Sequence, residues 1–325
     1  MCGVTLIELL LQKFPETPRT RAKQWIANGR VRVNGGVVRQ ASANVEAGAK
    51  LDLGERREKA LAPQREQRLH GKVALIYLDQ SIAIVDKAAG LLAVPAPGQG
   101  MSAMSILGGW LAGDEAPAQF RRLRPQPVHR LDQYTTGVLC FAMNPAARAK
   151  LIDQFSKHAA TRTYLAYVDG KPKTPRGTWR HLLRFDEDKL RQRVVGGARD
   201  EARREGTVEA VTHFEVVEQF GPVTKLRLRL ETGRTHQIRV QAAESGLPLL
   251  GDRMYHPDRG GKLIDRQALH AESLQLEHPD MHKRMTWRAP LPADLRELEL
   301  QLGKGVDVEP PRRRAVHRAR QFTKR

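Results

Sequence analysis

The stretch Pro127–Met143, PVHRLDQYTTGVLCFAM, joins a charged segment to an apolar one. Its closing VLCFAM is typical of a buried strand, and a Thr-Thr-Gly turn comes just before it. An extended chain here would place Arg130 and Asp132 on the same side. A carboxylate beside a guanidinium stays ionised, and an ionised, partly desolvated carboxylate can act as a nucleophile or general base. The same residues also fit an ordinary turn aspartate paired with arginine.

A second segment, farther along the chain, combines cations with a short helix. Lys225–Leu230 alternates basic residues with leucine, which predicts a strand, and a Glu-Thr-Gly break follows it. Thr235 is expected to cap a helix over HQIRVQAAES, on which His236 and Arg239 share a face. Together with Arg234 in the turn, Arg239 could serve one anionic site, although a single arginine is more often a solvated surface charge.

A third segment, ATRTYLAYVDG (residues 160–170), has the alternation of a strand. Tyr164 and Tyr167 then face opposite ways, so at most one of them lines a given site. Two core tyrosines with satisfied hydroxyls would be the commoner arrangement. An aromatic ring beside basic side chains can instead stack an unpaired base.

The charge of the whole chain indicates a polyanionic partner. Its 325 residues carry a formal net charge of +19, with a pI near 10.4, and nucleic acid is the usual partner of such a protein. No apolar run approaches a membrane span, and we expect the N-terminal MCGVTLIELLLQKF to form an amphipathic helix and not a signal peptide. Two cysteines make a disulfide framework unlikely, which fits the cytoplasm.

Residues 1–54 have the pattern of a small nucleic-acid-binding module. After a first helix, Thr17 and Pro18 are good residues to begin a second, and RVRVNGG predicts a hairpin that turns at Asn-Gly. Cations crowd the start of the second helix and the hairpin, where they could contact phosphate: Arg19, Arg21, Lys23, Arg30 and Arg32. This helix, basic helix and hairpin resembles the S4 RNA-binding domain.

The remaining chain is predicted to contain a linker, a large domain and a tail. Residues 55–70 are charged and aperiodic, and we interpret them as the linker. Residues 71–303 would form the main domain. Residues 304–325 hold eight Lys or Arg against two acids and few large apolar side chains, so we expect a disordered tail that contacts phosphate or simply aids solubility.

The motifs of the main domain, taken in order, closely resemble those of the RluA family of RNA pseudouridine synthases. They are HRLDQYTTGVL, RTYLAYVDG, ETGRTHQIRV, GLPLLGD and ALHAESLQLEHP, and the resemblance spans roughly residues 73–290. It implies an α+β fold whose catalytic domain is built on a mainly antiparallel, mixed sheet flanked by helices and loops. A small S4-like α/β RNA-binding domain precedes it, as in the family's large-subunit ribosomal RNA enzymes.

The resemblance also implies roles for individual residues. Asp132 matches the catalytic aspartate, Tyr164 the tyrosine that packs on the base, and Arg239 the arginine that pairs with the aspartate. Arg130 matches an arginine that enters the space left by the flipped uridine. The other motif residues expected to contact the substrate are His129, Thr136, Arg234, His236 and Ile238.

The reaction implied by the resemblance is the isomerisation of uridine to pseudouridine, which needs no outside energy and hence no cofactor. The sequence has no P-loop, no GxGxxG motif and no convincing metal cluster. Ribosomal RNA is the expected substrate, with transfer RNA as the other possibility, and the family's usual monomer is the expected state. The competing hypothesis is a non-catalytic RNA-binding factor for ribosome assembly. An acid–base hydrolase using His129 and Asp132 is disfavoured, since no nucleophile elbow is present.

Overall fold

The computed structural model of the chain describes residues 4–27, 31–38, 40–46, 48–53, 67–98, 100–188, 190–195, 205–257 and 263–304. The chain divides into two units, Met1–Gln64 and Arg65–Arg325, which are described separately below. Among the described residues, no helix combines the length and apolar character needed to cross a bilayer.

The first unit packs two helices against short strands. Its elements are β1 Val4–Thr5, α1 Leu6–Lys13, α2 Arg19–Ala27, β2 Val31–Val33, β3 Gly36–Val37, β4 Asn44–Val45 and β5 Leu51–Leu53. The helices bury apolar residues at helical spacing, among them Leu6, Leu10, Ala22 and Ile26. The predicted hairpin is confirmed: β2 pairs with β3, and the Asn34-Gly35 turn has φ values of 47° and 86°.

The second unit is built on one large sheet. Its strands are β6 Gln67–His70, β7 Val73–Leu78, β8 Ile82–Lys87, β9 Gln126–Pro127, β10 Thr136–Ala142, β11 Thr161–Asp169, β12 Arg176–Asp186, β13 Arg191–Val195, β14 Val208–Phe220, β15 Val223–Leu230, β16 Leu269–Glu277 and β17 Arg284–Arg288. Its helices are α3 Ala103–Ala112, α4 Pro145–Ser156, α5 Gln237–Glu244 and α6 Ala293–Gly303.

The strand order confirms a mixed, mainly antiparallel sheet. It runs β13-β12-β14-β15-β11-β16-β10-β8-β7-β6, with β9 beside β10 and β17 beside β16. The parallel pair is β10 with β16, which joins Thr136 to His270 and Gly137 to Ala271. Gly137 has φ 113°, and a Cβ at this position would overlap the backbone of Ala271, so the junction requires glycine.

Strand β10 explains why VLCFAM is almost wholly apolar. Leu139 and Phe141 pack into the core on one face of the sheet, while Val138 and Cys140 pack into the core on the other. A strand covered on both faces needs apolar residues at every position. The predicted buried strand is therefore confirmed, and it fixes the end of the loop that carries Asp132.

The boundary of the linker needs a correction. Residues 67–70, which we expected to be the end of the linker, form β6 and pair with β7 in an antiparallel manner. Their mostly polar side chains suit an edge strand, which is hard to distinguish from a linker in sequence. Residues 54–66 and residues 305–325, hence most of the linker and nearly all of the tail, lie outside the described residues.

Candidate active site

A cavity of about 480 Å³ opens among the loop before β10, the end of α4, the start of β11 and the turn from β15 to α5. The structure brings most of the sequence-predicted site residues together here, although they are spread over more than a hundred positions of the chain, from His129 to Arg239. Its lining includes His129, Arg130, Asp132, Tyr164, Arg234, His236, Ile238 and Arg239. Thr136 is not among the lining residues.

The Asp132 carboxylate meets a buried guanidinium, as the resemblance implies. Arg239 Nη1 lies 3.4 Å from Asp132 Oδ2. The same guanidinium donates two shorter hydrogen bonds to Asp252, from Nε at 2.7 Å and from Nη2 at 2.9 Å. Asp132 is thus the weaker of the two carboxylate partners of Arg239. It keeps lone pairs free toward the cavity, while its charge is compensated from one side.

Asp252 was not identified from the sequence, although it ends the quoted motif GLPLLGD. Its side chain is fully buried and also accepts hydrogen bonds from the backbone N–H groups of Met254 and Tyr255. Burial alone would lower the pKa of Arg239, but the hydrogen bond and charge of Asp252, with that of Asp132, raise it overall. The Tyr255 ring stacks against the Arg239 guanidinium at 5.1 Å.

The turn that positions Arg234, His236 and Arg239 is held by a buried glutamine. Gln237 Oε1 accepts from the Arg234 backbone N–H at 2.9 Å and from the Thr232 hydroxyl at 2.8 Å. His236 adopts a left-handed conformation with φ 54°, directly before α5 begins at Gln237. The prediction that Thr235 caps this helix is therefore wrong, because the side chain of Gln237 folds back to satisfy the turn.

The loop preceding Asp132 is anchored by His129. Its Nε2 accepts the Cys140 backbone N–H at 3.0 Å, and its ring packs on Phe155 with centroids 4.8 Å apart. Burial, followed by the charge of Arg162, lowers the pKa of His129 to about 3. A neutral histidine whose acceptor nitrogen is already occupied is a poor general base. His129 therefore shapes the loop, and the disfavoured hydrolase hypothesis gains no support.

Thr136 has a comparable structural environment. Its hydroxyl lies 2.9 Å from His270 Nδ1, across the parallel junction between β10 and β16, and is buried there. The neighbouring Thr135 lines the cavity in its place. Because Thr136 is already the first residue of β10, the strand geometry turns its side chain away from the loop that carries Asp132.

The two tyrosines of β11 separate as predicted. Tyr164 is 6% exposed, lines the cavity and belongs to the core that includes Leu230 and Ile238. Burial raises its pKa, with Arg162 opposing and Asp132 adding to the shift, so its phenol is neutral at physiological pH. Tyr167 lies on the other face, where its hydroxyl donates to Glu299 at 2.6 Å.

Lys87 supports the loop that carries Asp132 and was also missed by the sequence analysis. This lysine, at the end of β8, is fully buried, and its Nζ donates to the carbonyls of Ala88, Leu91 and Gln133 at 2.8–3.0 Å. Gln133 follows Asp132 directly, so the ammonium holds the backbone next to the carboxylate. The only signal in the sequence is a lysine at the end of a buried strand.

The cations predicted to bind RNA in the first unit are exposed where the structure describes them. Arg19, Arg21 and Lys23 lie on α2, and Arg32 lies on β2. Arg30 lies outside the described residues. The first turn of α2 contains no acidic residue, so its positive dipole end is not compensated locally.

Comparison with known families assigns both units. The model of the RNA pseudouridylate synthase family matches residues 81–244, and that of the S4 domain matches residues 5–51. Ribosomal large subunit pseudouridine synthase D of Haemophilus ducreyi is 35% identical over 310 residues, which are 92% of this chain and 90% of that protein. The Escherichia coli K12 protein of the same name is 34% identical over 309 residues, 91% of this chain and 90% of its own length.

Solved structures have the same fold. Human RNA pseudouridylate synthase domain containing 4 covers 70% of this chain and 92% of its own with a TM-score of 0.57 at 21% identity. Human RNA pseudouridylate synthase domain containing 1 covers 75% and 98% with a TM-score of 0.53 at 24% identity. With an S4 domain ahead of a catalytic domain whose cavity unites Asp132, Tyr164 and Arg239, this chain belongs to the RluA family of RNA pseudouridine synthases.

Proposed function

We propose that this enzyme isomerises specific uridines of large-subunit ribosomal RNA and that Asp132 starts the reaction. The observation that carries the proposal is the Asp132 carboxylate in the cavity, 3.4 Å from the buried Arg239 guanidinium. A carboxylate beside a buried guanidinium can act as a nucleophile or accept a proton. The names of the full-length bacterial relatives support large-subunit ribosomal RNA as the substrate.

The chemistry follows from the residues that line the cavity. The uridine must leave its stack, because its glycosidic bond is inaccessible within folded RNA. Asp132 initiates cleavage of the bond between the base nitrogen and C1′, the uracil rotates, and a new bond forms between C5 and C1′ while the C5 proton is lost. Tyr164 packs on the base and serves proton removal, and the exposed Arg130 enters the space vacated in the RNA.

The remaining predicted residues support the substrate in this scheme. Arg234, His236 and Ile238 form the wall beside Arg239, whereas His129 and Thr136 support the site through their contacts with β10 and β16. The cations of α2 and β2, with the basic tail, contact phosphates without reading sequence. The proposed organisation is an RNA-binding module over 1–54, a catalytic domain ending near 303 and a tail, in a monomeric cytoplasmic enzyme.

The proposal is tested by tritium release from RNA labelled at uracil C5, because each isomerisation frees one C5 hydrogen. Wild type, Asp132→Asn and the control Asp265→Asn, whose carboxylate is 92% exposed, are compared on large-subunit and transfer RNA. We expect release from large-subunit RNA by wild type and the control, and none by Asp132→Asn, with RNA affinity unchanged. If wild type released tritium from neither RNA but still bound RNA, the assembly-factor hypothesis would be favoured. Release from transfer RNA alone would identify transfer RNA, and not large-subunit ribosomal RNA, as the substrate.

A further inference from the structure

Arg162 is a buried cation in the wall of the cavity to which no role has been given. It lies on β11, two residues before Tyr164, and is 9% exposed. Its Nη2 donates to the Glu231 carbonyl at 3.4 Å, and its guanidinium lies 5.6 Å from the centre of the Phe155 ring. Within the part of the chain that the structure describes, its Nε has no hydrogen-bond partner and no carboxylate forms an ion pair with it.

Such a cation is unfavourable unless an anion completes the site. A buried charge normally has an oppositely charged partner, because removal from water costs several kcal/mol that hydrogen bonds to neutral groups only partly offset. Burial lowers the pKa of Arg162 accordingly, but an arginine stays protonated at physiological pH. Arg239 is buried to a similar degree but has two carboxylate partners. The two guanidinium groups therefore differ in whether the protein itself supplies their countercharge.

The backbone opposite Arg162 leaves room for the guanidinium. Gly233, in the turn after β15, faces it so closely that a Cβ there would overlap Nη1 and crowd Cζ. Any other residue at position 233 would displace the guanidinium from its place in the wall. The glycine and the arginine therefore form one arrangement, which keeps at the cavity a guanidinium that no carboxylate of the described residues pairs with.

We propose that Arg162 binds a phosphodiester group of the RNA, next to the nucleotide whose base enters the cavity. Arg162 and Tyr164 both face the cavity from one strand, about 7 Å apart along it. A base packed on Tyr164 therefore brings its own backbone within reach of the guanidinium. Phosphate is the formally anionic group of RNA, and the arginine fork matches its oxygens. The inference rests on the proposed RNA activity but not on which uridine is the target.

The test compares kcat/KM for tritium release from large-subunit ribosomal RNA over a series of salt concentrations. The variants are Arg162→Gln, Gly233→Ala and, as a control, Arg229→Gln. Arg229 is exposed on β15, directly opposite Thr163. The Arg229→Gln substitution therefore removes the same charge as Arg162→Gln, but from the other face of the sheet. Gly233→Ala keeps the net charge and only displaces the guanidinium.

We expect Arg162→Gln to lower kcat/KM by about 10- to 100-fold, as for the loss of a charged hydrogen bond. The slope of log kcat/KM against log salt should become shallower by about 0.7, the value for one single-strand phosphate. Gly233→Ala should produce both effects, the double variant no further loss, and Arg229→Gln neither effect. An unchanged slope in Arg162→Gln would overturn the inference, whereas inactivity of the wild type would contradict the proposed function instead.

A second measurement separates RNA binding from a structural role. Replacing an unpaired buried cation by an apolar side chain of similar length should leave the RNA-free protein as stable as before or more stable. We therefore expect Arg162→Met to melt at or above the Tm of the wild type while losing activity as Arg162→Gln does. A Tm that falls by several degrees would assign Arg162 to folding and overturn the inference.

Discussion

Two carboxylates share one guanidinium at the centre of the active site, and their roles differ. Asp252 is fully buried and makes the two short bonds to Arg239, whereas Asp132 faces the cavity and makes one long bond. Asp252 therefore positions Arg239, and Arg239 in turn contacts Asp132. The three side chains thus form a row of alternating charges, and the proposed catalytic residue, Asp132, is the member of the row with the weaker bond to Arg239.

Asp252→Asn should destabilise the protein strongly, because it leaves the buried Arg239 without its main countercharge. Removal of one partner of a buried ion pair costs about 3–5 kcal/mol. The free energy of unfolding in urea measures this loss. Adding Arg239→Met to Asp252→Asn should recover most of the stability but none of the activity. If Asp252→Asn were as stable as wild type, Asp132 alone would suffice as the partner.

Lys87 should make stability depend on pH in a defined window. Burial, opposed by the charge of Asp132, lowers its pKa from 10.5 to about 7 in the folded protein. Between these values the unfolded chain binds more protons, so the contribution of Lys87 to stability is least favourable below pH 7 and improves as pH rises. From pH 7 to 9, wild type should gain on the order of 2 kcal/mol relative to Lys87→Met. Urea unfolding at both pH values measures the difference, and a constant difference would contradict the lowered pKa.

At the scale of single residues, the sequence predicts the residues that line the cavity better than the buried residues that position them. The family motifs placed Asp132, Tyr164 and Arg239 together, and the structure brings them together. Asp252 and Lys87 were missed because their roles depend on burial and on partners brought near by tertiary folding. A short sequence motif identifies a reactive residue, but it does not show which distant residues the fold brings into contact with it.

At the scale of elements, the parallel junction between β10 and β16 leaves no room for a side chain at Gly137. Gly137→Ala would drive a methyl group into the Ala271 backbone at a positive φ, and we expect a loss of at least about 2 kcal/mol. Gly109→Ala, in the interior of α3 with open space around it, should instead stabilise by about 0.5–1 kcal/mol. Urea unfolding of both variants measures the contrast, and equal effects would argue against a special requirement at Gly137.

Elements with a strong period were predicted well, and those defined by partners were not. Apolar patterns and turn residues located β10, β11 and most of β15, as well as the S4-domain hairpin. The cap of α5 was not predicted because it depends on a side chain that folds back onto the turn. Strand β6 was missed because a polar edge strand shows no apolar pattern. The parallel pairing of β10 with β16 joins segments too far apart in the chain for any local signal.

For the whole molecule, the net charge of +19 should make RNA binding strongly dependent on salt. The triple variant Arg19→Gln, Arg21→Gln, Lys23→Gln should reduce the slope of log affinity against log salt by up to about 2 for single-stranded contacts.

Deleting residues 304–325 should make this slope shallower still. A tail of equal length with its eight Lys and Arg changed to Gln should behave like the deletion. Filter binding over 50–300 mM salt, roughly the range in which phosphate contacts weaken, measures the slopes, and an unchanged slope would exclude the segment concerned.

The position of β16 also determines when a growing polypeptide becomes an enzyme. In the sheet, β16 lies between β11, which carries Tyr164, and β10, which follows the Asp132 loop. Thr136 and His270, which meet across this junction, are 134 residues apart. A nascent chain therefore presents Asp132 long before the strand that joins the two halves of its active site has been translated. The proposed catalytic residues can therefore assemble only after translation has passed β16 at Leu269–Glu277, and we expect shorter nascent chains to carry Asp132 without activity.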